Sequence, residues 1–118
     1  MKEDNSNALL VEVLPSFCAE LRDLLVKASE PALADQIPNL NILDGCGCGD
    51  DFCSSFYTKP KPCGAYGPGH RTIVLEPERG MIILDVLGDE IAHVEVLNRN
   101  DIRSALTAAL PTLLEPNS

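Results

Sequence analysis

The sequence predicts a single α+β domain, with N-terminal helices, a five-stranded antiparallel sheet and a C-terminal helix packed on one face. Three observations lead there. Apolar residues recur at helical spacing near both ends of the chain, whereas residues 40–97 carry period-two alternation broken by turn residues. Helix and strand signals come in runs rather than alternating, which argues against a parallel sheet with crossover helices. The length of 118 residues suits one domain, and 45% apolar but only 4% aromatic residues call for a core of Leu, Ile and Val.

Residues 1–7 are polar and expected to fray. Ala8 to Leu14 fits a helix kinked at Pro15 or a strand-like arm, and a helix is the expectation. A helix is expected from Pro15 to Ala28, because Phe17, Cys18, Leu21, Leu24, Leu25 and Ala28 share one face. Pro15 suits a first turn, where the missing N–H costs nothing. Pro31 starts a second short helix to about Gln36, with Leu33 and Ile37 facing inward and Pro38 closing it.

Strand one is expected from Leu40 to about Cys48 and strand two from about Cys53 to Thr58. With Gly49-Asp50-Asp51-Phe52 as the turn, Cys48 lies opposite Cys53, Cys46 opposite Ser55 and Gly45 opposite Phe56. A long loop, Lys59 to His70, leads to strand three, Arg71 to Leu75. Glu76-Pro77-Glu78-Arg79-Gly80 then reads as a turn, with Pro and Gly where its backbone angles need them. Met81 to Leu87 and Ile91 to Leu97 form the closing hairpin. A two-residue Gly88-Asp89 loop would pair Ile82 with Glu95. A loop one residue longer pairs Ile82 with Val96, Leu84 with Val94 and Val86 with Ala92, giving one wholly apolar face, so burial selects it. Its other face pairs Ile83 with Glu95 and Asp85 with His93. Asn98 or Asn100 is expected to cap the last helix, whose stripe is Ile102, Ala105, Leu106, Ala109 and Leu110. Pro111 stops it, and the tail from residue 112 is expected to be loose.

The pattern with most chemistry is Gly45-Cys46-Gly47-Cys48-Gly49-Asp50-Asp51-Phe52-Cys53, with Cys63 beyond it, a C-x-C-x4-C-x9-C spacing. Residues two apart in a strand share a face. Cys46 and Cys48 therefore point the same way, and the hairpin brings Cys53 beside them. Cys63 then completes a tetrahedral zinc site, with His70 as a substitute ligand. The spacing lacks the paired C-x2-C knuckles usual in structural zinc sites. Two other readings stand beside zinc: a reversible disulfide between Cys48 and Cys53, or thiols packed as small hydrophobes. Asp44, Asp50 and Asp51 disfavour a catalytic thiolate. Cys18 lies on the helix stripe and belongs to the core.

Residues 52–75 carry Lys59, Lys61 and Arg71 and no acid. An anion or acidic partner would bind here, at Lys59, Lys61, Tyr66, His70 and Arg71, assisted by glycine backbone N–H groups. The stretch lacks the strand-then-helix setting of a phosphate loop, and an ordinary solvated loop explains the same residues. Asp85 and His93 resemble the orienting half of a catalytic triad, but opposite charges across strands are also ordinary sheet stabilisers.

The net charge of −9 repels nucleic acid and anionic membrane surfaces, so neither is an expected partner. An odd number of cysteines, five, and no apolar leader or spanning run point to a reducing, cytoplasmic setting. The stretch CGCGDDFCSSFYT, followed by GPGHR and GMIILDVLGDEIAHVEVL, resembles a group of small uncharacterised bacterial proteins. The last hairpin is similar to the closing strands of a small bacterial domain family of unknown function. The resemblance covers about residues 40–100. It implies a compact antiparallel-sheet domain, and no functional residue carries over from it.

Three functions follow from these residues. A non-enzymatic protein-interaction domain, of the kind in which small acidic immunity or antitoxin-like proteins meet basic partners, is favoured by charge and needs no cofactor. A zinc-binding domain would use Cys46, Cys48, Cys53 and Cys63. A thiol-redox protein would use the same cysteines as a dithiol.

Overall fold

The computed structural model describes residues 8–62 and 64–115. Cys63 and the stretch expected to fray, residues 1–7, lie outside the described residues. The fold is α+β, as expected. Chain order runs β1 (Ala8–Leu9), α1 (Leu10–Val13), α2 (Pro15–Lys27), α3 (Pro31–Ala34), a 3-10 turn (Ile37–Asn39), β2 (Asn41–Ile42), β3 (Asp44–Gly45), β4 (Phe56–Tyr57), β5 (His70–Leu75), β6 (Met81–Leu87), β7 (Glu90–Leu97) and α4 (Asn100–Ala109). Residues 8–14 are thus both things weighed for them, a short strand and then one helical turn.

The main sheet has five antiparallel strands in the order β3-β4-β7-β6-β5. Chain neighbours β4 and β5 are therefore not spatial neighbours. The long loop carries the chain from one side of the central hairpin to the other. One face of the sheet presents Phe56, Ile82, Leu84, Val86, Val94 and Val96, all fully buried. They join Leu10, Phe17, Leu21, Leu25, Leu33, Ile102 and Leu106 of the helices in one core. Cys18 is part of that core, and burial pushes its thiol up to about 11.

The β6–β7 hairpin reconciles the two registers weighed for it. Ile82 pairs with Val96, Leu84 with Val94 and Asp85 with His93, as the apolar face requires. A register shift then puts Val86 opposite Ile91, in place of the expected Ala92, and Leu87 opposite Glu90, so the turn is the tight Gly88-Asp89. An extra residue in one strand lets a two-residue turn and a continuous apolar face coexist. Gly88 takes φ +60° at that turn.

The first expected strand is broken. Asn41–Ile42 pairs with β1, and only Asp44–Gly45 joins the main sheet. The second is shorter than expected. Cys53 makes an isolated bridge to Leu97, and Ser54 N–H bonds the Val96 carbonyl at 2.8 Å. The Val96 amide, however, donates to the Ser55 hydroxyl at 2.9 Å rather than to backbone. A serine side chain has replaced one rung of the ladder.

One expectation at the C-terminal end is corrected. Neither asparagine caps α4. The N-cap position is Arg99, with no side-chain capping bond, and Asn98 instead takes a left-handed φ of 60°. Past α4, Leu113 and Leu114 pack on the core. A Cβ at Gly45 would collide with the Leu113 carbonyl, so this glycine is required by the returning tail.

Candidate metal centre

Gly45 opposite Phe56 is the last regular pair of the β3–β4 hairpin, and the Cys46 N–H continues it with a 3.2 Å bond to the Ser55 carbonyl. This is the register expected from the sequence. Beyond it the chain leaves the ladder, because Gly47 and Gly49 take φ of +81° and +76°. L-residues avoid such angles, and glycine adopts them freely. The excursion folds Cys48 back over Cys46. The two thiols meet through a bend at Gly47 rather than through the two-residue period of a strand.

The result is a cluster of three thiols. Cys46 Sγ lies 3.2 Å from Cys48 Sγ and 3.2 Å from Cys53 Sγ. All three sulfurs fall within 4.8 Å of one another. Cys53 is buried, Cys46 half-buried and Cys48 exposed. Both Sγ–Sγ separations of 3.2 Å are well beyond the ~2.05 Å of a disulfide, so these are free thiols.

The surroundings stiffen the cluster unevenly. Cys53 Sγ is 3.3 Å from the Ser55 hydroxyl. Arg103 of α4 donates to the Cys53 carbonyl at 2.7 Å and the Asp50 carbonyl at 3.1 Å, clamping the loop to the last helix. The Asp50 amide reaches Cys48 Sγ at 3.5 Å. Burial pushes the Cys46 thiol up to about 12, and its sulfur neighbours add to that. Burial opposes ionisation of Cys53 too. There the Ser55 hydroxyl and amide, with the Cys46 and Cys48 thiols, outweigh it and hold Cys53 below the ordinary thiol range. Nothing in the sequence marked Ser55 or Arg103. One looks like an ordinary strand serine and the other like a polar-face helix residue.

Cys63 is outside the described residues. His70 stands on β5, across the sheet from β3, with Nε2 2.8 Å from Asp85 Oδ1. His70 is thus engaged by a carboxylate on a strand away from the thiols. The basic loop is also satisfied internally. Lys59 pairs with Glu90 at 2.8 Å, Lys61 with Asp44 at 3.4 Å, and Arg71 forks onto Glu30 at 3.0 and 3.1 Å. Tyr66 stacks on His70 with ring centroids 4.7 Å apart, and Lys61 lies over the Tyr57 ring. Loop and sheet are thus laced together by partners from distant segments.

Asp85 and His93 are neighbours as their register requires, with Nδ1 3.4 Å from Oδ2. Asp85 also takes His70, and His93 stacks on Tyr57 at 4.3 Å. Its Nε2 is buried with no hydrogen-bond partner among the described residues. The geometry is that of a cross-strand polar pair, with no nucleophile among the described residues bonded to the imidazole. Burial lowers the His93 pKa below its ordinary value, and Asp85 only partly opposes this. The folded state therefore favours neutral His93. Its contribution to stability is present above the unfolded value near ~6.5 and is lost as pH falls through the lower folded value. The urea midpoint should fall between pH 7.5 and 5.5, and His93→Gln should flatten that profile. A wild-type midpoint that holds or rises on acidification would contradict the assignment.

No helix among the described residues is long and apolar enough to cross a membrane. The chain matches no protein-family model, no curated protein and no solved structure, so the centre is read from its own geometry.

Proposed function

We propose that this chain is a zinc-binding domain whose ion is held by the thiolates of Cys46, Cys48 and Cys53. The observation that carries the reading is the convergence of three sulfurs within 4.8 Å of one another. Zinc–thiolate bonds of ~2.3 Å in a tetrahedron set sulfurs roughly 3.8 Å apart. The two 3.2 Å separations reach that spacing with shifts of about half an ångström. Soft thiolates select zinc over calcium or magnesium. Cys63 is assigned the fourth position on sequence spacing alone.

The role of the ion is structural. The chain between Gly45 and Cys53 makes few ladder bonds, and a metal joining Cys46 and Cys48 to Cys53 closes that segment onto β7. Metal binding of this kind contributes directly to folding free energy. The protein-partner reading rests on net charge, and the loop cations meant to carry it are paired within the chain.

Native mass spectrometry of freshly purified protein, before and after chelator, tests the proposal. The expected spectrum carries one zinc per chain, and chelator removes it while raising the free-thiol count. Metal-free protein that takes up no added zinc under reducing conditions would sink the reading.

A further inference from the structure

Resting on the zinc reading, we infer that the centre is redox-labile: a hydroperoxide joins Cys46 and Cys48 in a disulfide and the zinc is released. Cys46 is the central sulfur, 3.2 Å from each of the other two. The question is which neighbour it takes.

Cys53 is the fixed one. It is 7% exposed, bridged to Leu97, close to the Ser55 hydroxyl, and its carbonyl is held by Arg103. Cys48 is exposed and sits between two glycines in left-handed conformations. It is the sulfur an oxidant in solution meets, and its backbone is flanked by glycines rather than bridged to β7. Residues two apart are at most about 6.8 Å apart at full extension, and the bend at Gly47 shortens this span. The pair thus falls in the Cα separation of roughly 4.4–6.8 Å that disulfides tolerate. Closing 3.2 Å to bonding distance needs about 1.1 Å of movement, which this glycine-flanked loop supplies more readily than the segment that bridges Cys53 to Leu97.

The chemistry balances without a further reagent. The Cys48 thiolate attacks one peroxide oxygen, the O–O bond breaks, and with a solvent proton the products are a sulfenic acid and water (or an alcohol from an organic hydroperoxide). The Cys46 sulfur then attacks the Cys48 sulfur. The S–S bond forms, the S–O bond breaks, and hydroxide leaves and is protonated to water. Two sulfurs lose two electrons in all and the peroxide gains them. Zinc stays divalent and departs because two of its thiolates are gone. Thiol reductant reverses the sequence and restores the ligands.

The test uses the full chain, with zinc occupancy read by native mass spectrometry first, then one equivalent of hydrogen peroxide, then peptide mapping. The expected result is complete loss of zinc with loss of two hydrogens, a Cys46–Cys48 link in the map, and recovery of zinc binding after dithiothreitol. Zinc retained after oxidation, a link joining Cys46 to Cys53, or sulfonic acid in place of a disulfide each overturns the inference and leaves the zinc reading intact. A chain that carries no zinc before peroxide overturns the zinc reading itself, and that result is recorded before any oxidant is added.

Discussion

Replacing Cys46 with serine is expected to lower zinc affinity by more than ~100-fold, beyond the roughly 10–100-fold attached to an outer-shell partner. The reason lies in where its sulfur stands. Cys46 Sγ is within 3.2 Å of both other thiols, so it is the vertex that brings them together. A serine oxygen is a harder and far less acidic ligand, and zinc selects the soft thiolate. Arg103→Met is the companion measurement. It removes no ligand, but frees the Asp50 and Cys53 carbonyls that the guanidinium holds at 3.1 and 2.7 Å. About tenfold weaker binding is expected from it, at the low end of outer-shell effects. Competition against a chromogenic chelator reads both variants on one scale. Wild-type affinity in Cys46→Ser would remove the cluster as the binding site. A larger loss in Arg103→Met than in Cys46→Ser would mean that loop position, and not sulfur ligation, dominates the affinity.

The cysteine cluster was legible in the sequence for a reason only half right. The register Gly45 opposite Phe56 and Cys46 opposite Ser55 follows from placing a four-residue turn after Cys48, and it is realised. Strand periodicity does not carry Cys48 onto that face. Left-handed Gly47 and Gly49 do, and glycines in a sequence announce permission for such angles without saying which will be used. The apolar face of β6 and β7 was legible because a one-residue slip would expose it. The bulge that also admits the Gly88-Asp89 turn satisfies two local preferences at once and is visible in neither alone. The basic loop shows the limit most plainly. Lys59, Lys61 and Arg71 form a cationic stretch along the chain. Their partners Glu90, Asp44 and Glu30 come from β7, β3 and the start of α3, and depend on a strand order that the loop itself creates.

Gly80→Ala is expected to cost about 3 kcal/mol of folding stability, against about 1 kcal/mol for Gly88→Ala. Both glycines have left-handed backbones, at φ +72° and +60°, so the conformational penalty on a Cβ is shared. Their surroundings differ. A Cβ at Gly88 meets nothing within 4 Å, whereas one at Gly80 would stand 2.6 Å from the Leu97 carbonyl oxygen and 2.7 Å from Arg99 Cγ. Arg99 is poorly able to give way. It is 5% exposed, and its guanidinium forks onto Glu20 at 2.8 and 2.9 Å and onto Asp101 at 2.9 Å while also reaching the Arg79 carbonyl. Those hydrogen bonds hold the Asp101 carboxyl down at about 2, so the fork keeps its charge throughout the neutral range. The clamp ties α2, the β5–β6 turn and the first turn of α4, which is why a methyl group at Gly80 should reach three elements together. Urea denaturation of the two variants isolates the contact from the backbone penalty. Equal losses would show that Arg99 yields freely and that the clamp adds no rigidity. A larger loss at Gly80, reduced when Arg99 is also truncated, would show that the stem of the clamped Arg99 side chain, beside the Leu97 carbonyl, is what the glycine makes room for.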